Sequence, residues 1–226
     1  IMKKLKVITL GLCAALVLSC STKTGTGALI GAGAGTFVGG VIGKIAGNTA
    51  VGAAVGAAVG AGTGALIGKH MDKVKAETEA QLDNAKVEEV TDANGLKAVK
   101  VTFDSGILFA LNKADLNATS KSELAKFSSV LKNNNTCSVD IQGYTDSTGN
   151  DGINIPLSQQ RAEAVSNYLK SCGVSSSQIV KVQGYGSANP VADNSTKAGQ
   201  ALNRRVEVYL YASQDMINAA NNGTLQ

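Results

Sequence analysis

The sequence predicts an α+β fold: a mixed sheet in the order β-α-β-α-β-β with its helices on one face, preceded by a hairpin of two glycine-striped helices. Three observations lead there. From Asn94-Gly95 onward, hydrophobic residues recur alternately at strand spacing and at helix spacing. From Gly25 to Gly68, glycine recurs every four residues. Between the two lies a charged stretch rich in Ala, Glu and Lys.

The chain opens with Lys3, Lys4 and Lys6, followed by an apolar run from Val7 to Leu18 and then Ser19 and Cys20. A basic start, an apolar run of about 12 residues and a small residue before the cut make a secretory signal over residues 1–19. The run is too short to cross a bilayer, which needs roughly 20 apolar residues. Val17-Leu18-Ser19-Cys20 resembles the lipobox of bacterial lipoproteins, with Val17 where leucine is usual. That resemblance implies a diacylated Cys20 at the new N-terminus and a lipid-anchored start over residues 20–24. Ser21, rather than Asp, resembles lipoproteins sorted to the outer membrane.

Fifteen of the chain's 26 glycines fall between Gly25 and Gly68, with Lys44 the single charge there. Gly27, Gly31, Gly35, Gly39, Gly43 and Gly47 keep a period of four, as do Gly52, Gly56, Gly60, Gly64 and Gly68. GTGALIG occurs at Gly25 and again at Gly62. Each glycine costs a water-exposed helix about 1 kcal/mol against alanine, whereas a strip of them on one face lets helices pack closely in a membrane. The register breaks near Asn48 and Thr49, so residues 25–68 are expected to form two close-packed helices. The pattern resembles the glycine zipper of envelope lipoproteins and leaves spanning, one-leaflet insertion and homo-oligomerisation open. Residues 69–92 follow as a polar helical spacer, with Met71, Val74, Thr78, Leu82 and Ala85 as a weak stripe. If helical, that spacer extends roughly 36 Å.

Residues 93–212 form the folded domain. Val99, Val101 and Phe103 mark the first strand, and Ser120 with Glu123 a capping box opening a helix that carries Leu124, Phe127 and Leu131. Val139, Ile141 and Gly143 mark the second strand; Ala162, Val165, Leu169 and Cys172 mark a second helix face, closed by Gly173. Val180 and Val182 give a third strand, and Val206, Val208 and Leu210 a fourth. Residues 213–226 read as a polar, loose tail. Cys137 and Cys172 form an even pair in an oxidising compartment. The second helix returns antiparallel to the second strand, so a Cys137–Cys172 disulfide is expected, worth about 3–4 kcal/mol in the loop-entropy model.

The chemistry concentrates in Gly143–Val165. Asp146 follows a strand, and Arg161 sits three residues after Ser158, a good N-cap. A capping box prefers Glu or Gln at that position, and arginine there opposes the helix dipole. The residues alone support two readings equally: a ligand site for opposite charges, or an Asp146–Arg161 ion pair fastening the loop. TDxxG at Thr145–Gly149, LSxxRA at Leu157–Ala162, GYG at Gly184–Gly186 and NRRVE at Asn203–Glu207 together resemble the OmpA-like C-terminal domain, the peptidoglycan-binding module of Gram-negative envelopes. The resemblance implies that Asp146 and Arg161 hold the side-chain ammonium and carboxylate of diaminopimelate in the stem peptide. It implies supporting hydrogen bonds from Asn154, Thr148 and Asn112. Gln200 stands where the family more often has arginine, and Arg204 and Arg205 read as structural ion pairs on a strand with Glu207.

The net charge of +4, with no basic cluster beyond the first lysines, argues against nucleic acid. With a single histidine, His70, and no CxxC, neither a metal nor a cofactor is expected. No Ser-His-Asp or Cys-His set is available, and Asp146 and Asp151 suit turn chemistry better than glycan cleavage, so no enzyme is expected. The expected role is an outer-membrane lipoprotein, its C-terminal domain in the periplasm, that binds peptidoglycan noncovalently and tethers the membrane to it. The rival is a membrane-inserting glycine-zipper oligomer or stress-response scaffold that wall binding only localises. A motility stator would need a longer, more apolar spanning helix.

Overall fold

The computed structural model describes residues 59–110 and 112–225. The signal segment, Cys20 and the glycines before Val59 lie outside the described residues. The elements are α1 (Ala61–Gln81), β1 (Ala85–Thr91), β2 (Lys97–Asp104), α2 (Ser105–Leu108), α3 (Ala118–Asn133), β3 (Cys137–Gly143), α4 (Asp151–Ser171), β4 (Ile179–Gly184), α5 (Lys197–Asn203), β5 (Arg205–Ala212) and α6 (Gln214–Asn221). The sheet runs β1-β2-β5-β3-β4, antiparallel except for the β3–β4 pair. The mixed α+β architecture is as expected, with one further strand at an edge.

One hydrophobic core lies between the sheet and its helices. Val99, Val101, Phe103, Val139, Ile141, Val206, Val208 and Leu210 face Leu124, Phe127, Leu131, Ala162, Val165 and Leu169. The opposite sheet face carries a small cluster of Val90, Ala98, Tyr209 and Tyr211.

Three expectations change. The spacer over 69–92 is not a spacer. Met71, Val74, Thr78 and Leu82 do share a buried face, but that face packs into the domain with Ile67. Asp72 pairs with Lys97 at 2.6 Å, and Glu77 accepts from Asn133 and Asn134, both at 2.8 Å. Ala85–Thr91 then forms an edge strand, whose Lys86, Glu88 and Glu89 looked helical in sequence. Charges of this kind blunt an open edge, and here Glu88 meets Lys86 and Lys100 while Glu89 meets Lys97.

The tail after Ser213 is also folded. Ser213 caps α6 by accepting from the Met216 amide at 3.1 Å, and Met216, Ile217 and Ala220 are buried in the core. The third change concerns the cysteines. Cys137 and Cys172 are free thiols. Cys137 turns into the core beneath α1, its Sγ 4.0 Å from Met71 Sδ, and burial pushes its thiol up to about 12. The helix that claims it was read as lying outside the domain.

Helix starts shift as well. Asn117, not Ser120, caps α3 through the Ser120 amide at 2.9 Å, while Ser120 Oγ donates to the Leu108 carbonyl. Glu123 instead reaches the backbone amides of Asp83 and Asn84. That frees it to bind the chain between α1 and β1, a second tie to a segment expected to be separate.

Burial of a side chain such as Ile, Met or Val contributes about 1.5–3 kcal/mol, so losing Ile67, Met71 and Val74 removes a large share of a marginal total. A fragment of residues 59–226 should therefore melt cooperatively. A fragment of 93–226 should melt far lower or fail to fold, whereas equal melting temperatures would show that α1 and β1 are peripheral.

Candidate functional site

Strand β3 and strand β4 both end in glycine, at Gly143 and Gly184. A Cβ at Gly143 would collide with the Ser158 carbonyl, and one at Gly184 with the Gln159 backbone. Their absence lets α4 lie directly on the sheet. Hydrogen bonds hold it there: Gly184 N donates to Gln159 Oε1 at 2.6 Å and Gly186 N to Ser158 Oγ at 2.9 Å. Ser158, Arg161, Ala162, Val165 and Leu169 follow as one buried stripe. Arg161 is thus carried inward by the helix face.

Arg161 is not in a first turn. Helix α4 begins at Asp151, so Ser158, expected to cap it, lies inside it, as does Pro156. The dipole argument therefore does not apply to Arg161. What marks it is its surroundings. Arg161 is 4% exposed. Its Nε donates to the Lys113 carbonyl at 3.1 Å, and its guanidinium carbon lies 5.3 Å from the Phe109 ring centre. Its Nη1 is buried and has no hydrogen-bond partner among the described residues. Burial and the nearby Arg204 charge lower its proton affinity, partly offset by Asp146, yet a guanidinium stays protonated at any working pH.

Asp146 lies three residues beyond β3, in a loop fixed on both sides. Tyr144 N donates to the Arg205 carbonyl and Thr145 N to the Gly186 carbonyl, and Tyr144 stacks on Tyr185. Asp146 Oδ1 accepts from Thr148 N at 2.8 Å. Its Oδ2 accepts from Arg204 Nη1 at 2.6 Å. Burial alone would raise the carboxyl pKa, but Arg204 and Thr148 outweigh it and hold it below the usual range. The expected fastening pair is therefore Asp146–Arg204, not Asp146–Arg161.

Asn154 is buried and donates to the Thr148 carbonyl at 3.0 Å and the Asp146 carbonyl at 3.5 Å, so it shapes the loop. Thr148 is exposed on that loop. Asn112 is exposed, in the left-handed region at φ 56°, immediately before the residue whose carbonyl holds Arg161. Gln200 donates to the Asn194 carbonyl at 2.9 Å, and Asn194 Oδ1 accepts from Ser147 N. The position that departs from the family pattern thus still braces the Asp146 loop.

Sequence reasoning missed Arg204. Successive strand residues face opposite sides, so Arg204 and Arg205 could not both pair with Glu207. Arg205 does, at 2.7 Å, and also donates to the Asn203 and Asn189 carbonyls. Arg204 points to the other side, where it lines a cavity of about 310 Å³ with Ser105, Gly106, Phe109, Ala110 and Arg161. A larger concavity, about 500 Å³, opens near Asp83, Asp104, Lys86 and Arg205. Arg205 is satisfied there, so nothing in it calls for a ligand. The smaller cavity holds two guanidinia, one with an unmet buried donor, and so suits a carboxylate, which guanidinium forks bind in two-point fashion.

Residues 108–204 match the model of the OmpA family, and residues 2–72 match that of the YMGG-like Gly-zipper. Over those residues the chain is similar to an OmpA-like domain and to a glycine-zipper segment. It is 46% identical over 110 residues to the probable lipoprotein YiaD of Escherichia coli strain K12, covering 49% of this chain and 47% of that one. It is 43% identical over 111 residues to the peptidoglycan-binding protein ArfA of Mycobacterium tuberculosis (strain H37Rv), covering 49% of this chain and 34% of that one. The chain thus spans about half the length of the first of these relatives and a third of the second. Among solved structures, the cell wall anchor of the type VI secretion system (T6SS) from Pseudomonas aeruginosa superposes with a TM-score of 0.51. That match has 26% identity and covers 63% of this chain and 97% of that one.

Two outcomes test this geometry. A buried charge short of hydrogen-bond partners carries a desolvation cost that an apolar group of similar size does not. Arg161→Met should therefore leave the melting temperature unchanged or higher, whereas a clear drop would mean that Arg161 serves mainly the fold. The lowered Asp146 pKa gives a pH signature. Its stabilising contribution is present above the ordinary carboxylate value of 3.8 and lost as pH falls through the depressed folded value. The stability gap between wild type and Asp146→Asn should be widest near neutrality and close in acid; a gap that widened in acid would reverse the assignment.

Proposed function

We propose that this protein binds peptidoglycan noncovalently, through the diaminopimelate of the stem peptide, and tethers the outer membrane to the cell wall. The observation that carries the reading is the buried, unmet Nη1 of Arg161 in a cavity it shares with Arg204. Arg161 takes the ligand carboxylate and Asp146 the ammonium, with Asn154 and Thr148 shaping the loop and Asn112 at the rim. Similarity to a protein named as peptidoglycan-binding and to a probable lipoprotein supports it. In this reading Cys20 carries lipid and the glycine zipper lies in the outer membrane, self-associating there, while the OmpA-like domain stands in the periplasm.

The test is co-sedimentation of residues 59–226 with purified peptidoglycan. Truncating one partner of a desolvated charge pair costs roughly 2–5 kcal/mol, so Arg161→Ala should lose binding while remaining folded. Arg161→Lys should fail too, because an ammonium cannot supply the fork. Wild-type protein left in the supernatant, or folded Arg161→Ala in the pellet, would refute the reading.

A further inference from the structure

The two charged residues of this site differ in readiness. Arg161 offers a free donor, but both carboxylate oxygens of Asp146 already have partners, Thr148 N on one and Arg204 Nη1 on the other. Arg161, Arg204 and Asp146 together carry a net charge of +1. A ligand carboxylate neutralises that set as it stands. A ligand ammonium reaching Asp146 instead meets the Arg204 guanidinium at the same oxygen and is repelled by it.

Which group can yield is set by burial. Arg161 is tied to the Lys113 carbonyl and lies over Phe109. The Asp146 side chain is only 10% exposed, whereas that of Arg204 is 31% exposed. Arg204 is therefore the group that can swing toward water. Resting on the reading above, we propose that Arg204 is a specificity-determining residue that holds Asp146 until ligand binds and is then exchanged for the ligand's ammonium. The site then recognises an anion first, and a zwitterion only through this exchange. Loss of this partly exposed ion pair on binding lowers zwitterion affinity by up to about fivefold.

The experiment compares two stem tripeptides by calorimetry on residues 59–226. One ends in meso-diaminopimelate, the other in 2-aminopimelate, which lacks only the side-chain ammonium. In Arg204→Gln, the diaminopimelate peptide should bind about two- to fivefold tighter, because Asp146 is released. The 2-aminopimelate peptide should bind more weakly, because Asp146 is left unneutralised. In Asp146→Asn the two peptides should bind alike. Parallel weakening of both peptides by Arg204→Gln would make Arg204 a direct carboxylate contact and overturn the exchange, as would no change. A measurement on the wild type covers a variant that fails to fold. Nitrogen NMR of Arg204 should show its ion pair released by the diaminopimelate peptide and kept with the other; release by neither, or by both, overturns the proposal. Wild type that binds peptidoglycan but behaves in these latter ways sinks the exchange alone, whereas wild type that ignores peptidoglycan sinks the reading beneath it.

Discussion

The site depends on one contact, the direct approach of α4 to the ends of β3 and β4. Gly143 and Gly184 leave no room for a methyl group where the helix backbone crosses at Ser158 and Gln159. That crossing fixes where the next turn goes, and the next turn carries Arg161. The same strand ends launch the Asp146 loop on one side and the Tyr185-Gly186 turn on the other, and Thr145 and Gly186 hydrogen-bond across the gap. A helix held a few ångströms higher would lift Arg161 away from Phe109 and the Lys113 carbonyl. The glycines thus set the distance between the site's charges without touching a ligand.

Around that contact the Asn203–Glu207 segment divides its work between the end of α5 and the start of β5. Asn203 accepts from Val191 and Ala192 and pins their loop. Arg205 lies on the Tyr144 ring at 3.9 Å and pairs with Glu207, itself bonded by Tyr209. Val206 fills the core, and Arg204 alone turns to the cavity. Burial keeps an unmet guanidinium donor only at a cost in stability, and that cost falls on Arg161, while Glu207 and the Asn203 and Asn189 carbonyls hold Arg205 in the fold. The two arginines differ in that one keeps an unmet donor and the other is braced by its partners.

Much of this was legible in the chain. Four of the five strands announced themselves by alternation, and helices α3 and α4 by their apolar stripes, because each buries one face in a single core. Asp146 and Asn154 were legible as parts of one loop, where Asn154 reaches the Asp146 and Thr148 carbonyls. Arg204 was not, because adjacent arginines look alike until the strand separates their faces. The edge strand was hidden by its own charges, which protect an open edge and read as helical. Helix α1 was misplaced because its stripe of Met71, Val74 and Thr78 gives a facing surface but not what it faces. The cysteine pairing failed for the same reason, since the partner of Cys137 is Met71. The glycine repeats before Val59 speak only as sequence and as a family match.

The central claim is that a ligand carboxylate completes the hydrogen bonding of Arg161. A crystal structure of residues 59–226 with a diaminopimelate-containing stem peptide tests it most directly. A carboxylate oxygen should lie within hydrogen-bond distance of Arg161 Nη1, in the cavity beside Phe109. A peptide bound elsewhere on the domain, with Nη1 still lacking a partner, would contradict it.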